Sequence, residues 1–194
     1  MKKNRLEAFS DGVLAIIITI MVLELKVPQT PGVEALERLG PIFLSYVLSF
    51  CYVGIYWNNH HHLLHAATRV SAGILWANLN LLFWLSLLPF AAGWVGQHHL
   101  APLPSALYGG VLLMAAIAYY VLQQAIVAQQ GPGSVLAAAL GRDWKGKLSP
   151  LVYVAAIPLA FVNPNISNAL YTLVALLWIV PDKRIERSLA NLDD

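Results

Sequence analysis

Arg5-Leu6-Glu7-Ala8-Phe9-Ser10-Asp11-Gly12-Val13-Leu14-Ala15-Ile16-Ile17-Ile18-Thr19 decides how this chain folds. The run puts Arg5, Ser10 and Asp11 at the mouth of a segment that otherwise reads as spanning a membrane. An Asp at the centre of such a helix costs about 2.5–3.5 kcal/mol on insertion scales, so it usually has a partner or a task. Asp11 sits near the end of the segment, which lowers that cost. It still lies one helical turn inside the first apolar residues, deep enough to call for a cation or hydroxyl neighbour.

Composition points the same way. Of 194 residues, 58% are hydrophobic and 11% charged, whereas soluble domains carry about 25% charged residues. A chain this poor in charge belongs in a bilayer, with room for several spans and none for a sizeable soluble domain, so 1–194 reads as one membrane domain. The single Cys51 lies in an apolar run and excludes a disulfide framework. A net charge of +2 gives no basis for nucleic-acid binding. The first apolar stretch is too long for a cleavable signal peptide and lacks a small-residue cleavage site.

A helix needs roughly 20 mostly apolar residues to cross the hydrocarbon core. Six stretches are expected to do so, at about 8–25, 41–62, 71–95, 105–128, 148–162 and 166–180, the last two joined by the turn Asn163-Pro164-Asn165. The basic residues agree. With the N-terminus inside, inner segments hold Lys2, Lys3, Arg5, Arg69, Arg142, Lys145, Lys147, Lys183, Arg184 and Arg187, and outer ones only Lys26 and Arg38. This bias places both termini in the cytoplasm. The expectation is an all-α, multi-pass protein of the cell membrane with six transmembrane helices.

Polar residues within spans mark what lipid cannot satisfy. The first span has Ser10, Asp11, Thr19 and Glu24. The second has Ser45, Ser49, Asn58, Asn59 and His60-His61-His62, with His65 a turn later. The third has Asn78, Asn80 and Ser86, and the fourth Gln123 and Gln124. Antiparallel geometry brings Arg5 and Asp11 to the depth of the histidines, which suggests a clamp: Arg5 with Asp11, and one histidine donating to Asp11 or Ser10. His61 and His65 share a face at i, i+4, but no carboxylate or cysteine joins them in a zincin-like pattern, so no metal site is expected. Nucleophile elbow, P-loop and dinucleotide fingerprints are all missing, and no enzyme or cofactor is expected. Ile16, Ile20, Leu23 and Val27 form one apolar stripe bordered by Thr19.

Arg5-x-x-x-Phe9-Ser10-Asp11-Gly12-Val13 with Ala15-Ile16 and Thr19, then Trp57-x-x-His60-His61, then Asn78-Leu79-x-Leu81 with Pro89, resembles the transmembrane protein 175 family of lysosomal and prokaryotic potassium channels. The likeness covers the first half of the chain in motif detail and the second half in span count. It implies a potassium-permeable channel without a TVGYG filter, a sequence this chain indeed lacks. It further implies a homotetramer in which the first helix lines a central pore. By motif position Ile16 would be the hydrophobic constriction, Ile20 and Leu23 further apolar layers, and Thr19 a ring of hydroxyls for selectivity. Potassium ions would pass near Ile16 and Thr19. Arg5, Phe9, Ser10, Asp11, Trp57 and His61 would match the network that anchors the pore helix.

The expected partners are therefore other copies of the chain, the bilayer, and potassium and other monovalent cations. The alternative is a proton-coupled secondary transporter using Asp11 and the histidine cluster as a relay. Pro89 and Pro158 offer helix breaks for such a carrier, but no internal repeat accompanies them. Glu24, Glu34 and Glu37 either raise cation concentration at the outer end or form a solvated loop face.

Overall fold

Apolar runs as long as these can close their backbone hydrogen bonds in lipid only as helices, and the regular elements among the described residues are all helices. A computed structural model describes residues 3–131, 134, 136–137 and 143–179. Lys2, Arg142, Lys183, Arg184, Arg187, the end of the sixth expected span at Val180 and the tail beyond it lie outside the described residues.

The helices are α1 (Lys3–Leu23), α2 (Val33–Glu37), α3 (Gly40–Ala66), α4 (Ala72–Ser86), α5 (Leu88–Gln97), α6 (Pro102–Gln130), α7 (Trp144–Leu159) and α8 (Pro164–Ile179). Their ends follow local chemistry. Pro41, Pro89 and Pro102 occupy first-turn positions, where a missing N–H costs nothing. Ser71 caps α4 by accepting from the Ile74 N–H at 3.3 Å, and Asp143 caps α7 by accepting from the Gly146 N–H at 2.9 Å. Gly131, with φ of 93°, ends α6 in a conformation that other residues rarely adopt. The Asn163 carboxamide accepts from the Asn165 N–H at 2.9 Å and closes the turn into α8.

Lys3–Leu23, Gly40–Ala66, Ala72–Gln97 and Pro102–Gln130 are long and apolar enough to cross a membrane. α7 and α8 are shorter, at 16 residues each, or about 24 Å of rise. Two expectations change. The first helix begins at Lys3 rather than near Ala8. The third apolar run, expected to be continuous, is interrupted at Leu87 between α4 and α5. The cause is Pro89, which removes a donor and disfavours helical backbone just before it. The loop after α1 holds the single turn α2.

α1 packs on α3, α4 and α5, while α6 packs on α4, α5, α7 and α8; α3 also touches α5 and α8. One apolar core runs through the bundle, with Leu14, Met21, Leu63, Ile74, Leu81, Leu88, Leu112 and Leu122 almost wholly buried. Tyrosines supply a polar part. The Tyr153 hydroxyl donates to that of Tyr52 at 3.2 Å, and Tyr52 donates to the Tyr171 carbonyl at 2.6 Å. Ser49 and Tyr108 share a bond of 3.0 Å. Each buried hydroxyl so joined avoids the cost of a polar group stranded in a medium without water.

Candidate functional site

α1 stands at the edge of the bundle and divides into two sides. Leu6, Ser10, Leu14, Ile17 and Met21 are buried against α3, α4 and α5. The opposite side is uncovered: Phe9 is 51% exposed, Ile16 58%, Ile20 45% and Leu23 75%. Thr19 is exposed among them, and its hydroxyl donates to the Ile16 carbonyl at 2.9 Å. With the hydroxyl proton committed to the backbone, the Thr19 oxygen turns lone pairs outward. That polarity suits a cation.

The buried side is held by a hydrogen-bonded chain through three helices. Asn78 on α4 donates from Nδ2 to Ser10 Oγ at 3.0 Å. Ser10 donates to the Leu6 carbonyl one turn back, at 2.9 Å. His60 Nε2 on α3 donates to Asn78 Oδ1 at 2.6 Å. Ser10 and Asn78 have no exposed surface, and His60 has 2%. Asn78 is thus the link between α1 and α3, using one amide as donor and acceptor at once.

This geometry revises the clamp expected from sequence. The histidine in the buried chain is His60, not His61, and it reaches Ser10 through Asn78 rather than directly. The three consecutive histidines point about 100° apart around α3, and only His60 faces α4. His61 is exposed, with its ring 6.4 Å from that of Trp57 and 6.3 Å from that of His65. Asp11 accepts from Trp57 Nε1 at 3.0 Å and so ties α1 to α3 on the uncovered side. Arg5 is exposed and makes no ion pair with Asp11; on the same helix Lys3 pairs with Glu7, at 4.0 Å. No three metal-ligating side chains gather among the described residues.

The site residues therefore fall into two sets: Ser10, joined with His60 and Asn78 inside, and Arg5, Phe9, Asp11, Trp57 and His61 outside with the Ile16–Thr19–Ile20–Leu23 face. Asn78 was visible in sequence as a polar residue within an apolar span, but nothing in spacing assigned it a partner. At the other end of α1, Glu24 turns toward α5, while Glu34 and Glu37 are exposed.

Residues 5–89 match the family described as the endosomal/lysosomal potassium channel TMEM175. The chain is 54% identical over 189 residues to a protein of Chryseobacterium sp. (strain P1-3) named a potassium channel, covering 97% of this chain and 98% of that one. It is 30% identical to a potassium channel of Streptomyces collinus, covering 91% of each. Its fold is similar to the crystal structure of a lysosomal potassium-selective channel TMEM175 homolog from Chamaesiphon minutus. The TM-score is 0.81 at 28% identity, over 92% of this chain and 96% of the other.

Proposed function

The chain belongs to the TMEM175 family, a multi-pass membrane protein, and we propose on that footing that it is a potassium-permeable cation channel of the cell membrane. Four copies stand around a central pore, with α1 as its wall. Six passes per chain, α4 and α5 together forming one of them, leave both termini in the cytoplasm.

One observation carries this reading: α1 is locked into its own bundle by Ser10, Asn78 and His60 while its other side, with Ile16, Thr19, Ile20, Leu23 and the charged Arg5 and Asp11, stays uncovered. Left against lipid, an intramembrane carboxylate would be costly. Turned toward copies of itself around an aqueous axis, Asp11 gains water and counter-charges. The apolar stripe then becomes rings. A ring of Ile16 side chains closes a narrow tube by dewetting, because apolar walls offer water no hydrogen bonds. Thr19 lies one turn on and adds a ring of oxygens that partly replaces a cation's hydration shell, favouring the ion that dehydrates more cheaply. Conduction requires only that the Ile16 ring widen or rotate away. The Trp57–Asp11 bond and the Ser10–Asn78–His60 chain hold the wall helix at the orientation that presents these residues.

The test is cation flux into liposomes carrying the purified protein, with potassium and sodium gradients compared. Potassium flux above sodium flux without a proton gradient is the expected result. Flux that appears only when a proton gradient is imposed would overturn the channel in favour of a proton-coupled carrier.

A further inference from the structure

Away from α1, where α3, α6, α7 and α8 meet, the bundle encloses a cavity of about 100 Å³. An apolar cavity of about 150 Å³ holds benzene, so this space suits a molecule of one ring whose edge reaches the mouth. Its floor is the buried Tyr52, Gln123 and Tyr153, and its mouth is the exposed Tyr120, Gln124 and Lys147. Aromatic rings form much of the wall. Tyr56 and Tyr119 meet edge to face with centroids 6.0 Å apart, and Trp178 closes the α8 side, its Nε1–H donating to Ser149 at 2.8 Å. Ring faces give water no strong hydrogen bond, whereas a flat apolar guest gains contact area against them.

Two polar groups on α3 are left over for such a guest. The Tyr56 hydroxyl makes no hydrogen bond to another described residue, and packing does not seal it off. One turn on, Asn59 donates from Nδ2 to the Ile55 carbonyl at 2.8 Å, while its carboxamide oxygen accepts from no described residue. The Asn59 backbone carbonyl is taken by the Tyr119 hydroxyl at 3.2 Å. Positions 56 and 59 share one face of the helix, so a donor and an acceptor stand side by side at the cavity. A guest that matches them carries an acceptor next to a donor, as a carboxamide or a lactam does. Asp143 and Lys147 line the cavity with opposite signs, and the other lining side chains are neutral at physiological pH. A charged guest would lose hydration there without meeting a net counter-charge.

We propose that this cavity is a binding site for a small, uncharged aromatic amide or lactam. The ring lies among Tyr56, Tyr119, Tyr153 and Trp178. The guest's carbonyl oxygen accepts from the Tyr56 hydroxyl, and its N–H donates to Asn59 Oδ1. Tyr56 and Asn59 adjoin Trp57 and His60, the residues of α3 that bond to Asp11 and, through Asn78, to Ser10. The guest therefore meets that stretch of α3 from the side turned away from α1. The site lies within one copy of the chain and needs neither a pore nor a neighbouring copy.

The probe is a fluorinated benzamide, followed by fluorine NMR with the purified protein in micelles. The wild type should bind it saturably, with a Kd below about a millimolar. Ala116→Phe, which fills the cavity from α6, should abolish that binding; partition into the micelle is common to both proteins and cancels. Tyr56→Phe keeps the ring and removes the free hydroxyl, so affinity should fall about three- to tenfold. Fluorinated benzoate and benzylammonium, similar in shape but charged, should bind at least about tenfold more weakly than the amide. No saturable binding to the wild type, or equal binding to the wild type and a folded Ala116→Phe, would overturn the site. If Ala116→Phe does not fold, Tyr56→Phe decides, and an unchanged affinity overturns the site. A charged analogue that binds as well as the amide would overturn the ligand class. None of these readouts depends on ion flux, so the site and the channel stand or fall separately.

Discussion

Replacing Asn78 by Leu removes a side chain that joins α1, α3 and α4, and the structure sets the size of the effect. Asn78 is wholly buried, donates to Ser10 at 3.0 Å and accepts from His60 at 2.6 Å. Interhelical hydrogen bonds within membrane proteins average about 0.6 kcal/mol each. Ser10 keeps its bond to the Leu6 carbonyl, but the His60 ring, 2% exposed, is left with a buried unpaired N–H, which costs a further ~1–3 kcal/mol. Asn78→Leu should therefore destabilise by about 2–4 kcal/mol. His60→Leu strands Asn78 Oδ1 in the same way, whereas the double variant removes both partners together. The double variant should consequently lose about 1–2 kcal/mol less than the sum of the singles. His61→Leu, on the exposed side of α3, should combine with Asn78→Leu additively. The assay is reversible unfolding of the purified protein in mixed denaturing micelles, followed by tryptophan fluorescence. Additivity of His60 with Asn78 to within about 0.5 kcal/mol, or coupling of Asn78 to His61 instead, would refute the buried chain as drawn.

Three further outcomes are expected. Ile16→Asn should raise cation leak through liposomes, because a polar ring wets the constriction; unchanged flux from intact oligomers would remove Ile16 as the gate. Thr19→Val should shift the bi-ionic reversal potential toward equal potassium and sodium permeability, and Thr19→Ser should keep it near wild type; a wild-type potential in the valine variant would exclude the Thr19 oxygen from selection. Gly109→Ala places a methyl against the Tyr171 ring and the Ile157 side chain, so about 1–3 kcal/mol of stability should be lost in the same unfolding assay; a stability equal to wild type would mean that α6 and α8 are packed more loosely than described.

The sequence by itself determined the solvent, the helices and most of their ends. Apolar runs long enough to span lipid leave the backbone no other way to pair its polar groups, and proline, glycine and Asx turns act over a few residues, so local chemistry fixed where α3, α6 and α8 begin. The motif around Phe9-Ser10-Asp11 likewise carried the likeness to the family that the relatives show. Sequence did not determine which side of each helix meets which neighbour. A helix apolar around most of its circumference carries no stripe that marks its inner face, and consecutive histidines on α3 offer three directions to choose among. Only the packing of α3 and α4 on either side of α1 brought His60 within reach of Asn78, and Asn78 within reach of Ser10. The inward turn of Glu24 was equally out of reach, because it depends on an absent side chain at Gly93, far along the chain. These were tertiary decisions: a polar group in lipid takes whichever partner the helix packing brings within 3 Å or so, and that distance is a property of the assembled bundle.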